Sequence, residues 1–182
     1  MPITINGSGT VTGISVGGLP DGIVDTDMIA DSAVTGPKHA AGSVIQTTSS
    51  GNIITDFSST SDSYVTTNVT HSITPSATSS KILVLVAMDF GYTATANVQA
   101  YPRLALYRDS TEITAIEYAL RLDSSSSGCQ YHGGAPFIYL DSPNTTSAVA
   151  YTVYAKSHSS HGSTNRASWN EDSNVTLLEI KG

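Results

Sequence analysis

Seven consecutive apolar residues, 82–88, lie within Lys81-Ile-Leu-Val-Leu-Val-Ala-Met-Asp-Phe90, with no Gly or Pro among them. A membrane span needs roughly 20 such residues, so this run is too short to cross a bilayer. Its three β-branched members and the flanking Ser79-Ser80 and Gly91 favour a strand over a buried stretch of helix. Because neither side of such a strand is polar, it needs a covering layer on both faces. The layers on offer are other strands of the same chain or a neighbouring subunit.

The rest of the composition leads the same way. Charged residues make up 13% of the chain, about half the usual share, while Ser, Thr, Gly and Asn fill the polar positions. Strong helix formers are scarce and Thr, Val, Ile and Tyr are plentiful, which predicts an all-β protein with polar loops. The formal net charge is −7, and the eight Lys and Arg form no stripe or patch. Nucleic acid and anionic membrane surfaces, which both require clustered positive charge, are therefore not expected partners. Cys129 has no second cysteine to pair with, and Met1-Pro-Ile-Thr4 opens without a basic and apolar leader. The expectation is a chain made and folded in a reducing cytoplasm.

Residues 1–46 read as a segment apart from 47–182. Ile14, Val24, Val34 and Val44 recur every ten residues, Ala30 and Ala40 keep the same spacing, and so do Asp21 and Asp31. A decad with so little hydrophobe buries nothing by itself. Such repeats gain stability by stacking on neighbours or on identical chains, so Val24, Val34 and Val44 are candidate axial layers of a homotrimer. The competing reading is a flexible Gly/Ser/Ala linker with accidental spacing.

In 47–182, residues 47–61 form a polar bridge with Ile53-Ile54 and Phe57 as one edge strand or a packed loop. Strand signals follow over 64–73, ended by Pro75, then 81–92, 98–107, 130–140 (broken at Gly133-Gly134), 148–157 and 174–180. Residues 112–122 fit a strand or a helix, with strand favoured by their neighbours. About eight strands separated by turns describe a sandwich or barrel, with jelly-roll and immunoglobulin-like topologies both open.

No motif for catalysis stands out. His158 and His161 sit in a Ser/Gly loop with no third ligand close by in sequence, and Asp25, Asp27 and Asp31 lack the Gly and Glu of an EF-hand loop. Neither a metal nor a cofactor is expected. Cys129 and His132 point to opposite faces of any strand. Most acids, including Asp109, Asp123, Asp141, Glu171 and Asp172, fall in what read as loops, and no enzyme is inferred. The best binding candidate is the long polar stretch 157–173. It holds Trp169, the single Trp, for stacking, and Asn165, Arg166 and Asn170 for hydrogen bonding, as sugar-binding loops do. The alternative is that Trp169 plugs the loop against the core.

The phrases Gly22-Ile-Val-Asp, Ile29-Ala-Asp-Ser-Ala-Val-Thr35 and Lys38-His-Ala-Ala-Gly-Ser-Val-Ile-Gln46 resemble the degenerate repeats of bacteriophage tail-fibre proteins. Ser80-Lys-Ile-Leu-Val84, Leu106-Tyr-Arg-Asp-Ser-Thr111, Phe137-Ile-Tyr-Leu-Asp-Ser-Pro143 and Leu177-Leu-Glu-Ile180 resemble terminal domains of virion proteins from marine and cyanobacterial phages. The resemblance spans nearly the whole chain and rests on the order of the phrases; Pro37 and His39 depart from the repeat. It implies a homotrimer with a thin N-terminal shaft or anchor and a C-terminal jelly roll somewhat like the tumour-necrosis-factor fold. Its implied role is a short tail fibre in host attachment, docked through its N-terminus to a tail hub, adaptor or capsid protein. The implied outside contact is host surface polysaccharide or protein. A capsid fibre or decoration protein is the alternative within that class. A carbohydrate-active enzyme and a secreted trimeric ligand are the alternatives outside it.

If the decads form axial layers, Val34→Asp buries one unpaired charge per copy. Self-association should then weaken by at least about tenfold, or ~1.4 kcal/mol, measured by sedimentation. Unchanged assembly and melting would contradict the repeat reading.

Overall fold

The computed structural model describes residues 34, 38–54, 57–94, 99–100, 102–116, 122–123, 128–157, 166–169 and 172–182. The chain divides into two units, Met1–His39 and Ala40–Gly182. The division falls before Gln46 because Val44–Ser49 is already a strand, β1, of the second unit. Of the repeat valines, Val24 lies outside the described residues, and Val34 belongs to the first unit, where it is exposed.

The second unit is all-β and antiparallel, with no α-helix among the described residues. Its remaining strands are β2 (Ile53–Ile54), β3 (Phe57–Ser59), β4 (Val65–Ile73), β5 (Lys81–Ala87), β6 (Asp89–Ala94), β7 (Gln99–Ala100), β8 (Arg103–Arg108) and β9 (Thr111–Ile116). They continue with β10 (Leu122–Asp123), β11 (Cys129–Gly134), β12 (Phe137–Asp141), β13 (Val149–Lys156), β14 (Arg166–Trp169) and β15 (Asp172–Ile180). The ambiguous stretch 112–122 is strand as far as Ile116, and residues 117–121 lie outside the described set.

Several of these are halves of one bent strand. β5 and β6 are separated only by Met88, and β11 and β12 by Ala135-Pro136. The two breaks are level with each other, since Ala135 N donates to Met88 O at 2.9 Å. The interruption expected at Gly133-Gly134 therefore falls two residues later, where Pro136 has no N–H to offer the ladder. Counting such halves together leaves eight lanes. Sheet A runs β1/β2/β3, then β14/β15, β5/β6 and β11/β12. Sheet B runs β4, β13, β8, β9, with the short pair β7 and β10 extending its last two lanes. In chain order the lanes of sheet A are 1-8-3-6 and those of sheet B 2-7-4-5.

The sheets pack as a sandwich, because one buried cluster draws side chains from both. Ile82, Val84, Val86, Phe137, Val175 and Leu177 come from sheet A, and Val69, Leu104, Leu106, Tyr151 and Val153 from sheet B. β5 lies third in sheet A, flanked by β15 and β12, with Val84 opposite both Leu177 and Tyr139. The edge lanes β1 and β4 are joined by Thr48 Oγ1 and His71 Nε2 at 2.7 Å. A bulge in β4 puts Asn68 at φ 64°, and buried Thr67 repairs it: its hydroxyl donates to Val153 O at 2.8 Å and accepts Val69 N–H at 3.3 Å.

The core ends in a polar row, Glu179–Ile82–Asp141, across three lanes of sheet A. Glu179 is fully buried. Its Oε1 accepts from Ser76 N at 2.6 Å and Ser76 Oγ at 2.7 Å, and its Oε2 lies 2.9 Å from the Gln46 side-chain amide, which donates to it with its nitrogen turned toward the carboxylate. β15 is thereby fastened to β1 and to the turn between β4 and β5. Burial pushes the Glu179 carboxyl up, but the nearby Ser80 and Ser76 hydroxyls and the Ser76 and Ala77 N–H groups outweigh it. The net result is a pKa below the usual 4.5. A lowered folded-state pKa stabilises above the unfolded value and is lost as pH falls through the folded one. Glu179→Gln should therefore be less stable than the parent at neutral pH, and that gap should close as pH falls below 4.5 and through the lowered folded-state pKa, measured by denaturant melts across pH.

Candidate functional site

Strand alternation gives β5 two apolar faces. Inward go Ile82, Val84 and Val86 of β5, all buried. Outward go Leu83 and Leu85, each only partly covered. The register gives Leu83 an apolar partner on each side and Leu85 one on the β12 side. One outward row is Thr47–Leu178–Leu83–Leu140 and the next is Ser49–Thr176–Leu85–Ile138. Ile138 is 76% exposed and Leu140 49%, both on the edge lane. Val44 opposes Ile180 at the other edge and is 49% exposed. Along the outward positions of β1, β5, β12 and residues 174–180 of β15 the single charged residue is Lys81, and Ser49, Asn174 and Thr176 hydrogen-bond to one another there.

The outer face of sheet B is polar and closed upon itself. Tyr107 and Tyr154 stack at 4.1 Å between ring centroids, Tyr64 meets Tyr107 edge-on at 6.1 Å, and Lys156 Nζ lies 4.1 Å from the Tyr64 centroid. Tyr107 donates to Glu112 Oε2 at 3.1 Å, and burial and that bond raise its phenol pKa. These rings pack on one another, which stabilises cross-strand pairing.

Where sheet B meets the polar row, three side chains form a network. Arg108 Nη1 donates to Asp141 Oδ1 at 2.9 Å and Oδ2 at 2.8 Å, and Tyr151 donates to Oδ2 at 2.8 Å. Asp141 therefore belongs to the core, as the last residue of β12 with 7% exposure, and not to a loop. Asp123 and Asp172 likewise belong to strands β10 and β15. Parity was the signal available for Asp141: it shares the inward phase of Phe137 and Tyr139. Burial and the bond to Asp141 push the Tyr151 phenol far above its usual range. Both inward carboxylates, Asp141 and Glu179, are engaged by their own donors.

The stretch 157–173 is not wholly loop. Arg166–Trp169 forms β14, paired with β6 on one side and β3 on the other, with Trp169 opposite Phe57. Arg166 and Trp169 thus share one short strand, while Asn165, Asn170, His158 and His161 lie outside the described residues. Among the described residues no three His, Cys, Asp or Glu gather as metal ligands. No helix of the described residues is long and apolar enough to cross a membrane.

No protein-family model and no curated protein matches the chain. Among solved structures it is similar to VP2 of infectious bursal disease virus. Against the subviral particle, identity is 14% and the TM-score 0.45, over 75% of this chain and 33% of the VP2 chain. Against the Gx strain, identity is 14% and the TM-score 0.40, over the same shares. The dimeric latent PorU of Porphyromonas gingivalis aligns at 11% identity and a TM-score of 0.30, over 78% of this chain and 14% of that one. The chain thus spans about a third of the length of the VP2 proteins it matches.

Because Arg108 keeps a quarter of its side chain in water, removing its partner should cost near the lower end for a buried pair. Asp141→Ala is expected to destabilise the sandwich by about 3 kcal/mol. Tyr151→Phe should cost about 1 kcal/mol. Chemical denaturation of both variants checks the ranking; equal, negligible losses would contradict it.

Proposed function

We propose that this chain is a bacteriophage virion structural protein, a short homotrimeric tail fibre that takes part in host attachment. The observation that carries the reading is the division of the chain: the valine decads before residue 40 fall in one unit, and an eight-lane sandwich forms the other. The lane orders 1-8-3-6 and 2-7-4-5 are those of a jelly roll, the fold expected of the C-terminal part and a common one in capsid and lectin domains. The ordered phrases that resemble fibre and virion proteins supply the biological setting. In this reading the first unit docks on other virion proteins, at a tail hub, an adaptor or the capsid. The sandwich turns outward, and the chain acts without cofactor, metal or catalysis.

The receptor contact in this reading is centred on Trp169 and Arg166, with Asn165 and Asn170 beside them. Stacking of a sugar on an aromatic ring contributes modestly per site, and three copies in a trimer raise the effective affinity by avidity. Trp169→Ala should reduce phage adsorption to the host by at least about tenfold while leaving assembly and melting temperature unchanged. Full adsorption by that variant would overturn the placement of the contact. Immunogold labelling of virions tests the rest: label at the tail supports a tail fibre, and label confined to the head overturns it.

A further inference from the structure

We infer that β1 is a tension clamp, the strand that takes a pull exerted through the first unit and resists it by shear against β15. The inference rests on docking through the first unit, proposed above, and adds how that attachment withstands force. The chain leaves the first unit at His39 and enters the sandwich at β1, so a pull transmitted along the backbone reaches β1 before any other strand of the second unit. β1 is an edge lane held by hydrogen bonds rather than by apolar burial. None of its six residues belongs to the buried cluster, and Val44 is 49% exposed. Its ladder with β15 runs from Val44 opposite Ile180 to Ser49 opposite Thr176. Bonds outside the strand lengthen that ladder at both ends. At one end Gly42 N donates to Lys181 O at 2.7 Å and Lys181 N to Ser43 O at 2.9 Å. At the other, Ser50 N donates to Val175 O at 2.9 Å and Val175 N to Ser50 Oγ at 2.9 Å.

Side chains tie the same strand sideways. Thr48 Oγ1 meets His71 Nε2 of β4 at 2.7 Å, the Gln46 amide meets Glu179 Oε2 at 2.9 Å, and Asn174 Nδ2 donates to Ser49 Oγ at 3.0 Å and to Gly51 O at 2.9 Å. Hydrogen bonds are directional and weaken steeply when stretched, so what they resist depends on the direction of pull. Antiparallel ladder bonds lie perpendicular to the strands. A pull along β1 strains all of them at once, whereas a pull across it opens them one after another from the end. The topology selects the first case. β5 runs from Lys81 opposite Ile180 to Ala87 opposite Asn174, and β6, which follows after Met88, pairs with β14. β14, the strand of Arg166 and Trp169, therefore lies beyond the end where β1 stops, opposite the end where the chain enters. Tension between the first unit and a contact at β14 runs along β1.

The test holds single full-length chains at constant force in two directions, with Cys129→Ser in both so that only the added thiols are attached. Ala40→Cys with Asp62→Cys pulls along β1: both positions are exposed, and Asp62 follows β3, which pairs with β14. Ala40→Cys with a cysteine appended after Gly182 pulls β1 and β15 apart from their shared end. The expected result is a lifetime before first release at least about tenfold longer along β1 at the same force, since breaking two further hydrogen bonds in the rate-limiting step costs about that factor or more. Equal lifetimes in the two directions, or a longer one for the peeling pull, would overturn the clamp. Circular dichroism checks folding, and if Asp62→Cys disturbs it, the exposed neighbour Ser63→Cys takes its place. The force measurement reads the β1–β15 ladder alone and the labelling of virions reads where the protein sits, so the clamp and the tail-fibre reading fail separately.

Discussion

Burial of β5 on its inner face is the interaction on which the rest of the sandwich depends. Ile82, Val84 and Val86 reach into the core between the two sheets. Each fully buried side chain of this size contributes about 1.5–3 kcal/mol relative to exposure. The neighbours of β5 come from distant parts of the chain: β15 and β12 pair along it, so residues 82–86 and 175–179 must meet before either is shielded. Sheet A is therefore built of contacts distant in sequence, a topology expected to fold slowly compared with a helical bundle of the same length.

Polar groups fix what apolar burial leaves loose. Apolar packing is tolerant of small slips, but the row Glu179–Ile82–Asp141 is not, because each acid has its own donors waiting. Glu179 meets the turn between β4 and β5 and the side chain of β1. Asp141 meets Arg108 and Tyr151 of sheet B. A one-residue slip of β15 or β12 would turn an acid outward and strand those donors, so the two acids specify register as well as closing the end of the core.

The strand at 82–88, its two apolar faces and the all-β class could all be read from local pattern, since alternation and β-branching act within a few residues. Pairing could not. Nothing in Val84 announces Leu177, and the lane orders 1-8-3-6 and 2-7-4-5 emerge only when eight lanes compete for neighbours. β1 was hidden because Gln46-Thr-Thr-Ser49 is polar: as an edge strand it needs little hydrophobe of its own. β14 was hidden by the Ser- and Gly-rich residues around Arg166–Trp169, though pairing on both sides makes that segment a strand. Asp141 looked like a loop acid because a turn follows it, and only the phase of Phe137 and Tyr139 gives its inward direction away. Of the binding candidates, Asn165 and Asn170 lie outside the described residues, and nothing local in sequence fixes where Trp169 presents its ring.

If the two inward acids hold the register of sheet A, removing them should loosen its pairing more than its core. Native-state amide hydrogen exchange of the full chain, parent beside the Glu179→Leu/Asp141→Leu double variant, addresses this directly. The predicted result is strong protection along β5, β12 and β15 in the parent and at least about tenfold faster exchange of β12 and β15 in the variant. Equal protection in the two would contradict it.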